Sequence, residues 1–125
     1  MVIGTGIDII EIHRIKKAIE RNSRFIEKVF TTEESNLFQE RNLNPNTIAG
    51  FFAAKEAVAK ALGTGIRSFQ WQDIEVKKDS LGRPYIKLHN NAYKIAYSKG
   101  IEEIHLSISH CREYAVAQAI ATGTV

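Results

Sequence analysis

The arrangement of apolar and polar positions predicts one long helix from about Thr47 to Leu62. At about 100° per residue, its larger apolar side chains share one stripe, and alanines cover much of the remaining surface. The stripe consists of Ile48, Phe51, Phe52, Val58, Ala59 and Leu62. Thr47 is placed to cap the helix and Gly63 to close it. A helix that is apolar nearly all round is normally buried, so we expect this one in the core.

Three charged residues interrupt this helix. Lys55 falls within the apolar stripe, whereas Glu56 and Lys60 lie together on a flank, one turn apart. One interpretation is a surface Glu–Lys pair worth about 0.3–0.5 kcal/mol, with the stem of Lys55 lying over the core. The other is a ligand site, in which the carboxylate binds a metal and a lysine binds a phosphate. The helix alone favours the surface pair, because solvated charges are the commoner case, and the ligand site stays open as the alternative.

The rest of the chain shows shorter helix and strand patterns. Alternation of apolar and polar residues predicts strands at about 2–9, 73–77, 85–88, 104–110 and 114–120, and helical periodicity predicts helices at about 11–22, 32–38 and 91–98. A turn-rich connector separates the second strand from the third. Helices early in the chain and hairpins late in it favour an α+β fold, with helices packed on a mainly antiparallel sheet.

The first predicted strand places Gly4, Gly6 and Asp8 on one face. Two glycines before a carboxylate leave room for another group to approach the backbone closely. From local sequence alone, Asp8 is as readily a cap on the following helix as part of such a site.

The first helix has a basic exposed side. Arg14, Lys17 and Arg21 form a stripe there, and Arg24 and Lys28 extend it. Most such stripes are simply solvated, but this one also suits an acidic partner helix.

The composition is that of an ordinary globular protein. With 125 residues, 44% hydrophobic and 25% charged, we expect one domain spanning residues 1–125. No apolar run has the length of a membrane span. The single cysteine, Cys111, excludes an internal disulfide and fits a reducing cytoplasm. The formal charge of +3 suggests an anionic partner without identifying its class.

Three separated segments, taken in their order and spacing, resemble the 4′-phosphopantetheinyl transferase family, and at this length its short bacterial members. They are Gly6-Ile7-Asp8, Phe52-Ala53-Ala54-Lys55-Glu56-Ala57-Val58-Ala59-Lys60 and Ser107-Ile108-Ser109-His110. Shorter matches extend the resemblance over nearly the whole chain: Thr31-Thr32-Glu33, Gly63-Thr64-Gly65, Gly82-Arg83-Pro84 and Glu113-Tyr114-Ala115. The resemblance implies the family's fold and its reaction, the transfer of 4′-phosphopantetheine from coenzyme A to a serine of apo-acyl carrier protein. Adenosine 3′,5′-bisphosphate is released, and the reaction serves fatty acid biosynthesis.

The resemblance also implies roles for individual residues. Asp8 and Glu56 would bind Mg²⁺, which prefers few carboxylates together with water and phosphate oxygens. Lys60 would neutralise charge on the pyrophosphate, and Lys55 would do the same or structure the site. The implied coenzyme A contacts are Asp8, Lys55, Lys60, Gly63, Thr64, Gly65, Gly82, Arg83, Pro84, Ser109 and His110. As the base that takes the serine proton we rank Glu56 first and His110 second.

Partners follow from the same resemblance. The acidic helix of the carrier protein would dock on the basic stripe, at Arg14, Lys17, Arg21 and Arg24. The family's short members are homotrimers with active sites shared between subunits, and we expect that arrangement here. We expect neither nucleic acid nor a membrane as a partner.

One position departs from the family pattern. The family usually places an arginine immediately before the aromatic residue of the central helix motif, whereas this chain has Phe51. A phosphate contact expected at that position is therefore missing.

Two rival functions come from other classes of protein. A metal-dependent nuclease also uses acidic residues and a lysine, but the common nuclease pattern separates Glu and Lys by one residue on a strand. Here Glu56 and Lys60 are four residues apart on a helix. A basic nucleic-acid-binding module would use the stripe on the first helix, yet it leaves Lys55 and Glu56 unexplained.

Overall fold

Five helices and two antiparallel sheets make up residues 1–124, the part of the chain that the computed structural model describes. In chain order the elements are β1 (Val2–Glu11), α1 (Ile12–Arg21), α2 (Phe25–Val29), α3 (Thr32–Glu40), α4 (Pro45–Leu62), a 3₁₀ turn (Trp71–Asp73), β2 (Ile74–Lys78), β3 (Pro84–Leu88), α5 (Asn90–Ser98), β4 (Ile101–His110) and β5 (Tyr114–Gly123). The predicted α+β fold with mainly antiparallel strands is confirmed.

The larger sheet has the strand order β1-β5-β4, so the last strand of the chain lies in the middle. Its register places Asp8 opposite Ala117, and Ala117 opposite Ile108. The smaller sheet is the β2–β3 hairpin, in which Ile74 lies opposite Leu88. The two halves of the chain therefore meet where β1 pairs with β5.

Helix α4 packs directly on the larger sheet, and small residues make the close contact. A Cβ atom added at Gly4 would lie 2.1 Å from the carbonyl oxygen of Ala61, and one at Gly6 would lie 1.9 Å from that of Ala57. The facing positions of β5 are the buried alanines Ala115, Ala117, Ala119 and Ala121. The space that the two glycines leave is thus filled by the backbone of α4, which brings the helix against β1 beside Asp8.

The start of α4 differs from the sequence prediction. Asn44 caps the helix, its side chain accepting a hydrogen bond from the Asn46 amide at 2.9 Å, and Pro45 occupies the first turn. Thr47 lies inside the helix, so its predicted capping role is wrong; Pro45 suits the first turn because its missing N–H would have had no partner there. The predicted end is confirmed, since Gly63 closes the helix in the left-handed region at φ 84°.

An aromatic cluster fills the core on the other side of α4. The Phe38 ring packs edge-on against Phe30 at 4.8 Å and against Phe51 at 5.2 Å between ring centroids. Phe51 is only 2% exposed. The residue that replaces the expected arginine is therefore part of the hydrophobic core.

Among residues 1–124, no helix has both the length and the apolar character needed to cross a membrane.

Candidate active site

Asp8 and Lys60 meet where α4 crosses β1. The Lys60 ammonium donates to Asp8 Oδ1 at 3.2 Å and to the carbonyl oxygen of Ile7 at 2.8 Å. The side chain of Lys60 is 51% exposed and that of Asp8 is 16% exposed. Asp8 does not cap α1, because the residue before that helix is Glu11 and no side chain caps its first turn.

Glu56 completes this group, and the three residues Asp8, Glu56 and Lys60 are called the carboxylate cluster below. Burial raises the pKa of Glu56, the charge of Asp8 raises it further, and Lys60 partly opposes both effects. Within the described chain Lys60 forms an ion pair with Asp8, not the surface pair with Glu56 that the helix pattern allowed. Lys60 thus pairs directly with only one of the two carboxylates, and it offsets the effects on Glu56 only in part.

The donor set suits a hard divalent ion with few protein ligands. Over residues 1–124, no group of three or more His, Cys, Asp and Glu side chains is arranged to hold a metal. Mg²⁺ is commonly held by one or two carboxylates, with water and substrate phosphates as the other ligands. Asp8 and Glu56 fit that pattern, and they do not fit a site made entirely of protein ligands.

Lys55, although adjacent to Glu56 in sequence, is held in a different environment. Its side chain is fully buried, and its ammonium pairs with Glu34 Oε1 at 2.8 Å. It also donates to the carbonyl oxygens of Trp71, at 3.2 Å, and of Ile74. These three acceptors use all three of its N–H groups, so no donor remains for a coenzyme A phosphate. The structure thus corrects the predicted phosphate contact of Lys55. It also corrects the interpretation in which the stem of Lys55 lies over the core at the surface, and it favours the structural role.

The Gly63–Gly65 turn follows directly from the end of α4. Gly63 and Gly65 adopt positive φ values of 84° and 65°, and the Thr64 hydroxyl donates to the Gly65 carbonyl at 3.0 Å. Lys99 donates to the carbonyl of Leu62 at 2.5 Å. A cation here offsets the negative end of the helix dipole, which disfavours anions near this turn. Sequence reasoning missed Lys99, because its contact joins residues far apart in the chain.

The other predicted coenzyme A contacts lie elsewhere in the chain. Gly82, Arg83 and Pro84 are at the turn of the β2–β3 hairpin, which Asp79 stabilises by accepting from the Leu81 and Arg83 amides at 2.9 Å. Ser109 and His110 end β4 and are exposed. His110 lies opposite Ala115 on β5. Because β5 lies between β4 and β1, the backbone of β4 at His110 is about 10 Å from that of β1. Among the described residues, no hydrogen bond or ion pair joins these two groups to the carboxylate cluster.

The basic stripe on α1 lies on the surface as predicted. Arg14, Lys17 and Arg21 on α1 are exposed, as is Arg24 immediately before α2, while Ile12 and Ile15 on the opposite side of α1 are buried. Within residues 1–124 none of the four forms an ion pair with a carboxylate. Their charges are therefore available to an external acidic surface.

Comparisons of sequence and of structure with known proteins agree on one family. The family model described as the 4′-phosphopantetheinyl transferase superfamily matches residues 4–119. The chain is 66% identical to the holo-[acyl-carrier-protein] synthase of Alkaliphilus metalliredigens, over 98% of this chain and 100% of that protein. It is similar in structure to the holo-ACP-synthase of Plasmodium yoelii, with a TM-score of 0.88, 38% identity, and coverage of 100% of this chain and 98% of that one. The Helicobacter pylori holo-[acyl-carrier-protein] synthase in complex with coenzyme A gives a TM-score of 0.84 and 33% identity, covering 94% of this chain and 99% of that one.

Proposed function

The chain belongs to the 4′-phosphopantetheinyl transferase superfamily, and on that premise we propose that it is a holo-[acyl-carrier-protein] synthase. In this reaction the serine hydroxyl oxygen of apo-acyl carrier protein attacks the phosphorus that bears the pantetheine of coenzyme A. The new P–O bond replaces the one to adenosine 3′,5′-bisphosphate, which leaves. The supporting observation is the carboxylate cluster, which forms where α4 packs on β1. The similarity of the chain to named synthases adds to this support. We assign the reaction to fatty acid biosynthesis in the cytoplasm, carried out by one domain spanning residues 1–125.

Asp8 and Glu56 would hold Mg²⁺ in this proposal. When bound, the ion would neutralise charge on the pyrophosphate oxygens. Lys60, whose side chain is half exposed beside Asp8, would contribute a second positive charge to the same group. The raised pKa of Glu56 supports its rank as the first candidate base for the serine proton, with His110 second.

The remaining coenzyme A contacts lead to a proposal about assembly. Gly63–Gly65 follow α4. In contrast, Gly82–Pro84 lie at the β2–β3 turn and Ser109–His110 lie at the end of β4. The outward face of the larger sheet exposes Ile7 by 61% and Ile9 by 64%, and large exposed apolar areas often mark subunit interfaces. We therefore propose that the protein forms a homotrimer with shared active sites. A neighbouring subunit would supply the β2–β3 turn and the end of β4 to each site.

The transfer itself is tested by intact-mass spectrometry of apo-acyl carrier protein incubated with the protein, coenzyme A and Mg²⁺. We expect the carrier to gain the mass of phosphopantetheine. The gain should be absent with a chelator and with Asp8→Asn. A folded wild-type protein that modifies none of several carrier proteins would contradict the proposal.

The docking surface is tested separately. Because Arg14 is exposed and has no carboxylate partner among residues 1–124, Arg14→Glu should repel an acidic carrier helix. We expect the KM for carrier protein to rise about tenfold or more, with little change in the KM for coenzyme A. Arg41→Glu, at an exposed position beyond α3, is the matched control. Equal effects on both substrates would refute the docking role.

A further inference from the structure

The buried ammonium of Lys55 joins α4 to two other parts of the chain. Its ion pair with Glu34 reaches the first turn of α3, and its two carbonyl acceptors, Trp71 and Ile74, bracket the 3₁₀ turn before β2. The Phe30 ring centroid lies 5.3 Å from the ammonium. Both charged side chains have 0% exposure.

Glu34 is held as firmly as Lys55. Its Oε1 accepts from the Thr31 amide and its Oε2 from the Val76 amide, both at 2.8 Å. The Thr31 hydroxyl in turn donates to Glu75 at 2.7 Å. Among the described residues, no buried side-chain nitrogen or oxygen lacks a partner. The position of the Lys55 ammonium is therefore set from several directions at once.

These contacts close a segment of chain against α4. Residues 63–73 leave the helix at Gly63 and return to it where Trp71 and Ile74 accept from Lys55. Trp71 also stacks on Phe52 of α4, with ring centroids 5.0 Å apart. Both ends of the segment are thus fixed to one helix, which reduces the number of conformations open to the residues between them. The Gly63–Gly65 turn lies inside that segment.

We infer that Lys55 is a positioning residue: together with Glu34 it clamps residues 71–74 to α4 and so holds the Gly63–Gly65 turn in the conformation that binds the phosphates of coenzyme A. The inference rests on the proposed function. Lys55 touches no substrate in this arrangement, because all its donors are used within the protein. The carrier-binding stripe on α1 is not part of the clamp.

The double variant Lys55→Met/Glu34→Gln tests the clamp. It removes both charges together, so no unpaired charge is left buried. The matched control is Lys77→Met/Glu33→Gln, which removes an ion pair of 2.7 Å between β2 and α3. This pair also involves α3 but lies at the surface, where the side chains are 25% and 70% exposed. Two quantities are measured: hydrogen exchange of the amides of residues 63–73, and the KM for each substrate.

We expect faster exchange in residues 63–73 and a KM for coenzyme A raised about tenfold, with the KM for carrier protein unchanged. The control should match the wild type in both measurements. A folded double variant with wild-type exchange and a wild-type KM for coenzyme A would overturn the inference. If the double variant does not fold, Glu34→Asp decides, because it keeps the buried charge but shortens the side chain that reaches Lys55. We expect that KM to rise about threefold, and an unchanged value is the contrary result.

The two proposals fail in different ways. A wild-type protein without transferase activity would remove the proposed function, while the exchange measurement would still show whether Lys55 clamps the segment. An active wild type with no effect of the Lys55 and Glu34 substitutions would remove only the clamp.

Discussion

Helix α4 contributes residues to two groups of charges, and the two groups differ in burial and in how they are paired. On one side, Lys55 and Glu34 are completely buried, and every donor and acceptor has a partner. On the other side, the carboxylate cluster is partly exposed, and Lys60 forms an ion pair with Asp8 but not with Glu56. Lys55 and Lys60 are five residues apart on one helix, yet only Lys60 has a side chain that solvent can reach.

Structural charges and functional charges differ in whether the protein alone satisfies them. A buried pair whose hydrogen bonds are all satisfied is complete without a ligand, and it fixes the relative positions of the elements that it joins. In the carboxylate cluster, burial and the charge of Asp8 raise the pKa of Glu56, and Lys60 opposes these effects only in part. The carboxylate cluster is therefore the candidate site, and the buried pair of Lys55 and Glu34 has a structural role beside it.

The largest expected effect is on the reaction. Glu56→Gln keeps the shape of the side chain but removes a metal-binding carboxylate, so transfer should fall by about 10²-fold or more. Glu40→Gln, at an exposed position on α3, serves as the control and should leave the rate unchanged. Rates are measured as phosphopantetheine incorporated per unit time. A loss of less than about tenfold would place the essential charge elsewhere.

The next effect is on stability and distinguishes the two lysines. Lys55→Met leaves Glu34 buried without its cation and should lower the free energy of unfolding by about 3–5 kcal/mol. Lys60→Met removes a half-exposed partner and should cost less than about 1 kcal/mol. Urea denaturation measures both. Similar losses for the two variants would contradict the division of α4 into a buried and an exposed group.

The smallest effect is the pH dependence of stability in chelator. Because the folded protein raises the pKa of Glu56, ionising this residue costs stability as pH rises through the folded pKa. That cost is absent below the ordinary glutamate pKa of about 4.3. Glu56→Gln should therefore melt a few °C above the wild type at neutral pH, and this advantage should disappear in acid. An advantage that persists unchanged below pH 4 would show that it has another origin.

Sequence patterns identified the parts of the fold that local chemistry determines. The apolar stripe located α4, and alternation located the strands, because these periods follow from helix and strand geometry. The short helix α2 and the 3₁₀ turn were missed, since five or fewer residues carry little periodicity. The start of α4 was misplaced because both Asn44 and Thr47 are good capping residues.

The site was predictable only in part. The order of motifs placed Asp8, Glu56 and Lys60 together by resemblance, and the structure brings Asp8 and Lys60 into direct contact. The sequence could not separate Lys55 from Lys60, because the difference depends on Glu34 and on carbonyl groups far along the chain. The contact of Lys99 with the end of α4 was hidden for the same reason.

The thermal stability of the protein shows most directly whether the carboxylate cluster is the ligand site. The melting temperature of the protein is recorded in chelator, and then with Mg²⁺ and coenzyme A together, for the wild type and for Glu56→Gln. A ligand that binds only the folded state raises its stability. We expect a clear rise in melting temperature for the wild type and little or none for Glu56→Gln. Equal rises for the two proteins would contradict this expectation.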